Sequence, residues 1–241
     1  MNTAFYSASY LAITLLAFLA LKPFDRRLAL GFGLLFVAYL VLDDFITGLP
    51  YSVPLFDLNP AHWDWNWVGK VYAVLFAVAV ILALGMSVKS VGLVLPQRNV
   101  KAGAAALLLL VPMGVVLALV YRPDPPTAET LAFQLLMPGP AEELAFRGVA
   151  PALLLGLVRG KDPGPETPWI AVCIAAVPFG AVHGLGYADG AYSFDWASGL
   201  WTLSGGIVYG WLRFSTGSLL FPLLAHSLTN VAFHLTPLML A

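Results

Sequence analysis

Residues 129–158 read ETLAFQLLMPGPAEELAFRGVAPALLLGLV, an apolar stretch with two adjacent glutamates and an arginine near its middle. An ionisable side chain at the centre of a bilayer costs roughly 2.5–3.5 kcal/mol even on the lenient insertion scale. Glu142, Glu143 and Arg147 therefore carry a large penalty if the stretch only anchors the chain in a membrane. Ionisable groups in such a place indicate a working site whose partners lie on other membrane helices.

The composition is that of a helical membrane protein. Of 241 residues, 60% are hydrophobic and 10% are charged, and the mean hydropathy is +0.84. A soluble domain has about 25% charged residues, so this chain lacks the polar surface that water requires. Its apolar runs are continuous over about 20 residues, unlike the alternating segments of about 10 residues in membrane β-barrels. The net charge of −1 gives no indication of nucleic-acid binding.

The pattern predicts an all-α membrane protein, a polytopic bundle of about eight transmembrane helices that forms a single domain over residues 1–241. Short proline-rich or charged stretches separate the apolar segments, and none is long enough to form a soluble domain. The predicted segments are 4–21, 28–46, 67–87, 101–121, 129–158, 168–187, 196–214 and 217–240.

Basic residues are distributed unevenly between the predicted loops. Those after segments 1, 3, 5 and 7 hold nine of the twelve Lys and Arg. Cytoplasmic loops carry such an excess, so we expect both termini on the non-cytoplasmic side. This orientation predicts a site in the outer half of the bilayer, since Glu142 comes early in its segment and His183 comes late. The nine residues are Lys22, Arg26, Arg27, Lys89, Arg98, Lys101, Arg159, Lys161 and Arg213.

The fifth segment is too long for one straight span, and it contains the sequence Met137-Pro-Gly-Pro140. Proline does not continue a helix from upstream but is well suited to the first turn of a new one. We therefore expect a break near 138–140 and a helix that starts just before Glu142. The free N–H groups and positive end of that helix would help to keep the neighbouring carboxylates ionised.

Within this helix, Glu143 and Arg147 are an i, i+4 pair on one face, and Glu142 points about 100° away. Arg147 can therefore neutralise Glu143, while Glu142 stays free to face a cavity. A buried salt bridge that only fixes helix packing explains the pair but gives no reason for Glu142. Adjacent carboxylates in a low dielectric also raise each other's proton affinity, which suits a general acid or base.

Two later segments carry possible partners. Phe179-Gly-Ala-Val-His183 ends the sixth segment, where a lone histidine is equally consistent with the membrane interface. In the eighth segment His226 and Asn230 share a helix face, one turn apart. Such a pair can donate two hydrogen bonds to a developing oxyanion, although polar side chains also join membrane helices to one another.

Asp43 and Asp44 lie near the outer end of the second segment, where we expect the membrane interface to hydrate them. The alternative is that they support the site or gate the entry of substrate.

The order Glu-Glu-x3-Arg, Phe-x3-His, His-x3-Asn on successive membrane helices resembles the CPBP family. This family contains the type II CAAX prenyl proteases and the Abi-type bacteriocin-processing or immunity-associated proteases. The resemblance covers residues 128–235 and leaves the role of residues 1–127 unassigned. It implies a glutamic-type intramembrane endopeptidase, in a prokaryotic plasma membrane, that cleaves a membrane-anchored or lipidated protein or peptide.

The resemblance also implies a role for each motif residue. Glu142 and His183 would activate the attacking water, Glu143 and Arg147 would support and orient that site, and His226 and Asn230 would stabilise the tetrahedral oxyanion.

A zinc site is the alternative. Glu142, His183 and His226 could form a carboxylate–bis-imidazole site with one open position. However, the sequence has no His-Glu-x-x-His pattern, each ligand would come from a different helix, and Asn230 is a poor zinc ligand. We therefore expect hydrolysis without a cofactor.

The rival functions are a proton-coupled transporter and a non-catalytic membrane chaperone or immunity protein. Intramembrane Glu, His and Arg also mark ion pathways, but no inverted repeat or matched pair of broken helices is visible in the sequence. The sequence leaves the oligomeric state open.

Overall fold

The computed structural model describes residues 3–240, and helices dominate this part of the chain. A π-helical turn over Leu144–Val149 joins two of the helices. In chain order the helices are α1 (Thr3–Leu21), α2 (Leu30–Thr47), α3 (Leu49–Ser52), α4 (Trp67–Ala83), α5 (Val100–Tyr121), α6 (Ala128–Leu136), α7 (Pro138–Glu143), α8 (Ala150–Leu154), α9 (Trp169–Gly184), α10 (Trp196–Thr216) and α11 (Leu220–Leu240).

The architecture agrees with an all-α membrane protein. Four helices in the described range of 3–240 are long and apolar enough to cross a bilayer: Tyr6–Phe24, Leu30–Thr47, Val100–Tyr121 and Leu220–Leu240. The apolar helices α4 and α9 are shorter, with 17 and 16 residues. The count of eight spans therefore stays a prediction.

A β-hairpin between α9 and α10 departs from the sequence-based expectation. Leu185–Ala188 pairs antiparallel with Ala191–Phe194, where the sixth segment is expected to continue as helix to residue 187. The turn residues Asp189 and Gly190 have φ of 52° and 79°, as a two-residue type I′ turn requires. An Asp-Gly pair is a hairpin signal, so the sequence contained the information. The helix ends at Gly184, and His183 thus lies in its last turn.

The fifth segment breaks earlier than expected. Helix α6 ends at Leu136 and α7 begins at Pro138, so the break lies at Met137 rather than at 138–140. The reason is that Pro138 itself takes the first helical position, where its missing N–H is not needed. Glu142 is consequently the fifth residue of α7, and the expected stabilisation of its charge by an adjacent helix start is wrong. Its partner is a side chain from another helix.

Helices α7 and α11 approach each other closely because a glycine stands between them. A Cβ atom on Gly139 would collide with the hydroxyl oxygen of Ser227. The π-helical turn that follows α7 packs against α4, α9 and α10. The two glutamates are therefore held at the centre of several helices that lie far apart in the sequence.

The distribution of Lys and Arg divides the loops into a basic group, after segments 1, 3, 5 and 7, and a second group, after segments 2, 4 and 6. Two hydrogen bonds each join loops of the same group. The backbone N–H of Arg159 donates to the carbonyl of Leu84 at 3.1 Å, which joins the loops after the third and fifth segments. The indole N–H of Trp67 donates to Glu129 at 2.8 Å, which joins the regions after the second and fourth segments. Loops of the same group thus meet, as an alternating path through the membrane requires.

Reporter fusions test the orientation that the charge pattern predicts. In the loop 159–166, a reporter that works only in the cytoplasm is expected to be active, and one that works only outside it is expected to be inactive. The reason is that this loop belongs to the basic group. A reporter in the loop 57–64 is expected to be active only outside the cytoplasm. The reverse result at 159–166 would overturn the orientation and the outer position of the site.

Candidate active site

Glu142, His183 and His226 converge from α7, α9 and α11. The Oε2 atom of Glu142 lies 3.8 Å from Nε2 of His183 and 3.8 Å from Nε2 of His226. The structure therefore brings together the carboxylate and the two imidazoles that the sequence analysis selected, although 83 residues separate Glu143 from His226 in the chain.

Hydrogen bonds on the far side of each ring determine which nitrogen faces Glu142. Nδ1 of His226 lies 2.8 Å from Oε1 of Glu143, and Nδ1 of His183 lies 2.8 Å from the backbone oxygen of Phe179. A carboxylate and a carbonyl only accept, so each Nδ1 carries the hydrogen and donates it. In a neutral ring, Nε2 then presents a lone pair toward Oε2 of Glu142. That oxygen is buried and has no hydrogen-bond partner within residues 3–240.

The other oxygen of Glu142 is held by a residue that the sequence analysis did not select. Nζ of Lys70 lies 2.7 Å from Oε1 of Glu142, and the two side chains are only 19% and 13% exposed. Such a charge-assisted contact is among the stronger hydrogen bonds. Lys70 lies in the first turns of α4, where a lysine is also compatible with the membrane interface, so the sequence alone gave no reason to pair it with Glu142.

Glu143 is fully buried and has two partners. Its Oε1 atom accepts from His226 and lies 3.0 Å from Nη1 of Arg147, so the i, i+4 ion pair forms. The guanidinium of Arg147 lies over the ring of Phe179, 3.9 Å from its centroid, and 5.3 Å from that of Tyr209. The Tyr209 ring also stacks on the His226 imidazole, with centroids 5.5 Å apart. Glu143 and Arg147 thus reach the site through His226, which they orient.

Asn230 lies one turn after His226, but its direct partner is on another helix. Its Nδ2 atom donates to Oε1 of Gln134 at 3.0 Å. Gln134 is on α6 and is buried, with 6% of its surface exposed. One N–H of the carboxamide is thereby used, and the second stays available for another acceptor. A single glutamine in a short helix carries no sequence signal for this role.

A cavity of about 230 Å³ borders Glu142 and His183. The sequence motifs on the fifth, sixth and eighth segments predict a cavity between these three segments. Instead the N-terminal helices form much of its wall, through Tyr10 of α1, Asp43 and Asp44 of α2 and Lys70 of α4. His183 is 31% exposed, so the site is accessible from outside the protein.

The expected hydration of Asp43 at the interface is wrong, because only 7% of this residue is exposed. Tight packing of α2 against α4 causes the burial. The side-chain amide of Asn66 donates to the carbonyl of Thr47 at 2.7 Å, and Gly69 leaves no room for a Cβ atom beside that carbonyl. The C-terminal end of α2 is thereby held against α4, and its residues Asp43, Asp44 and Thr47 form part of the cavity wall.

Among residues 3–240, no group of three or more His, Cys, Asp or Glu side chains is arranged so that it could hold a metal ion.

A double-mutant cycle tests the buried pair of Glu143 and Arg147. Arg147→Met leaves the Glu143 charge buried without its cation, and we expect the free energy of unfolding to fall by about 3–5 kcal/mol. The double variant Glu143→Gln/Arg147→Met is expected to be less destabilised than Arg147→Met alone, because the charge is removed with its partner. Thermal or denaturant unfolding in detergent measures both. Strictly additive effects of the two substitutions would contradict this coupling.

Comparison with known proteins assigns the C-terminal part of the chain. Residues 125–232 match the family described as type II CAAX prenyl endopeptidase Rce1-like. A search of curated proteins and a search of solved structures each find no match. The matched range agrees with the 128–235 region of motif resemblance and contains every motif residue. The match over residues 125–232 supports the assignment of this part of the chain to the CPBP, or type II CAAX protease, family.

Proposed function

We propose that this protein is a glutamic-type intramembrane endopeptidase that cleaves a membrane-anchored or lipidated protein with a water molecule activated by Glu142. The observation that carries the proposal is the convergence of one carboxylate oxygen and two imidazole nitrogens, each 3.8 Å from that oxygen, beside a cavity. The match of residues 125–232 to a protease family supports the protease activity. The geometry and the hydrogen bonds around these atoms support the proposed mechanism.

The separation of 3.8 Å is too long for a direct hydrogen bond but suits a bridging water. A water between these atoms donates one hydrogen to Oε2 of Glu142 and the other to an Nε2 atom, preferably that of the more accessible His183. Its own lone pairs then remain directed at a peptide carbonyl in the cavity. Lys70 occupies only Oε1 of Glu142, so Oε2 stays free to take the proton.

In the reaction, the water oxygen forms a bond to the carbonyl carbon, and Glu142 takes the proton of the water. The tetrahedral intermediate collapses with cleavage of the C–N bond, and the proton passes from Glu142 to the leaving amine. The oxyanion requires donors. Asn230 offers its second N–H, and His226, whose Nδ1 atom is held by Glu143, offers Nε2–H when its ring is protonated.

We propose that the hydrolysis needs no metal. The ammonium of Lys70 lies 2.7 Å from the Glu142 carboxylate, so this group already has a cation, which would repel a divalent ion on the same carboxylate. Asn230 is engaged by Gln134 and its carboxamide is a weak zinc ligand. Both features favour general-base catalysis over zinc catalysis.

The proposed substrate is a protein with a C-terminal membrane tail that is cut during export or surface sorting. The predicted orientation puts the site in the outer half of the bilayer, away from cytosolic prenylated proteins. The exposure of His183 allows a segment of peptide to enter from that side.

Glu142→Gln tests the proposed role of the carboxylate. The substitution keeps the shape of the side chain but removes the base, so cleavage is expected to fall by about 10²–10⁴-fold. Membrane peptidomes of cells with the wild type and with the variant measure the loss and identify the substrate.

The matched control is Glu166→Gln, since Glu166 is exposed in a loop and should behave like the wild type. Membrane insertion of both variants should stay unchanged, and the thermal stability of Glu166→Gln should match that of the wild type. Full biological activity of Glu142→Gln would favour a non-catalytic chaperone or immunity protein built on the same scaffold.

Chelators test the proposed independence of metal. Purified protein treated with EDTA or 1,10-phenanthroline is expected to keep its cleavage rate, since a carboxylate paired with Lys70 performs the proton transfer. The measurement is the rate on a membrane-anchored peptide before and after treatment. Loss of the rate with recovery on addition of Zn²⁺ would establish the zinc alternative.

A further inference from the structure

We propose that Asp43 and Asp44 form a subsite that binds a Lys or Arg side chain of the peptide close to the bond that is cut. The inference rests on the proposed function, since it assigns a specificity to the same cavity. It concerns α2, which lies outside the part of the chain that matches the protease family.

The first observation is an unpartnered buried carboxylate. Asp43 is 7% exposed, and its Oδ1 atom is buried with no hydrogen-bond partner in the described part of the chain. Asp44, the next residue, is only partly exposed and lines the same cavity. An ionised carboxylate in apolar surroundings is unfavourable unless a cation or several hydrogen bonds compensate it. The wall of the cavity thus contains a buried carboxylate oxygen that a positively charged group would pair with.

The second observation is the charge balance of the cavity. Three carboxylates line it, those of Asp43, Asp44 and Glu142, and Lys70 is the only Lys or Arg among its described lining residues. The ammonium attracts the aspartates through space, but its direct contact, at 2.7 Å, is with Glu142. Two carboxylates of the cavity are therefore left without a direct contact to a Lys or Arg among its described lining residues.

The third observation is the position of these groups relative to the reacting atoms. Asp43 and Asp44 share the cavity with Glu142 and His183. Its volume of about 230 Å³ is several times the roughly 30 Å³ of one water, so a side chain and the attacking water fit together. A basic side chain whose head reaches the aspartates holds the adjacent backbone carbonyl near Glu142.

The shape of the wall also suits a long basic side chain. Lys and Arg carry apolar stems that pack on apolar surface while the charged head reaches a polar partner. Ala73 and the ring of Tyr10 line the cavity beside the aspartates. The buried hydroxyl of Tyr10 has no hydrogen-bond partner within residues 3–240 and can accept from an ammonium or guanidinium group.

Recognition of this kind predicts strong discrimination. A site whose buried polar groups require a charged partner rejects a substrate that leaves them unpaired. The expected loss, when the substrate lacks the basic group or the site lacks one carboxylate, is about ten- to a hundredfold in kcat/KM, the size of a hydrogen bond to a charged group.

The experiment uses the full-length protein in detergent and synthetic peptides with a randomised segment ahead of a hydrophobic C-terminal tail. Mass spectrometry identifies the cut bonds, and the Glu142→Gln protein is the blank. Lys or Arg is expected within a few residues of the cut bonds. Acetylation of the lysine in a good substrate should then lower kcat/KM about ten- to a hundredfold without any change to the protein.

Variants of the two aspartates complete the test. Asp43→Asn and Asp44→Asn should lower kcat/KM for the Lys or Arg peptide about ten- to a hundredfold more than for the same peptide with Met in that position. Asp44→Lys should favour a Glu peptide instead. The matched control is Asp124→Asn, because Asp124 is an exposed carboxylate that does not line the cavity.

The outcomes separate the subsite from the protease activity. Cleavage without a preference for basic residues, or an equal loss for basic and neutral peptides in both Asn variants, overturns the subsite and leaves the protease intact. No cleavage above the Glu142→Gln blank across the whole randomised set overturns the proposed function, and the subsite with it.

Discussion

Carboxylates on consecutive residues repel each other in a low dielectric, and the fold separates Glu142 from Glu143 by giving each its own cation. Lys70 reaches Glu142 from α4, whereas Arg147 reaches Glu143 from the next helical turn. Helix geometry directs the two carboxylates about 100° apart, and a separate cation meets each of them. One carboxylate then faces the cavity, and the other orients a histidine from behind.

The two ion pairs also explain why the histidines are arranged as they are. Glu143 fixes the Nδ1 hydrogen of His226, and the carbonyl of Phe179 does the same for His183. Both rings therefore turn Nε2 toward Glu142 without needing a direct bond to it. The rings of Phe179 and Tyr209 hold the Arg147 guanidinium by contact with its faces, so the charged group is packed as well as paired.

The sequence predicted the parts of the site that depend on local periodicity. The shared face of Glu143 and Arg147 follows from helix geometry, and the break in the fifth segment follows from its prolines. Lys70 and Gln134 were missed because their roles come from contacts across 72 and 96 residues, which no local pattern encodes. Asp43 was misjudged for a related reason. Its burial is caused by the close packing of α2 against α4, which only the three-dimensional arrangement reveals.

The groups proposed for chemistry and those proposed for selection come from different parts of the chain. Every motif residue lies within 125–232, the range that matches the protease family. The remaining charged groups of the cavity, Asp43, Asp44 and Lys70, come from helices before that range. Lys70 acts on both sets of groups. It contacts the carboxylate of the proposed base, Glu142, and it also attracts Asp43 and Asp44 through space. A change in α2 can therefore alter which peptide is held without moving the reactive carboxylate, whereas a change at Lys70 must affect both.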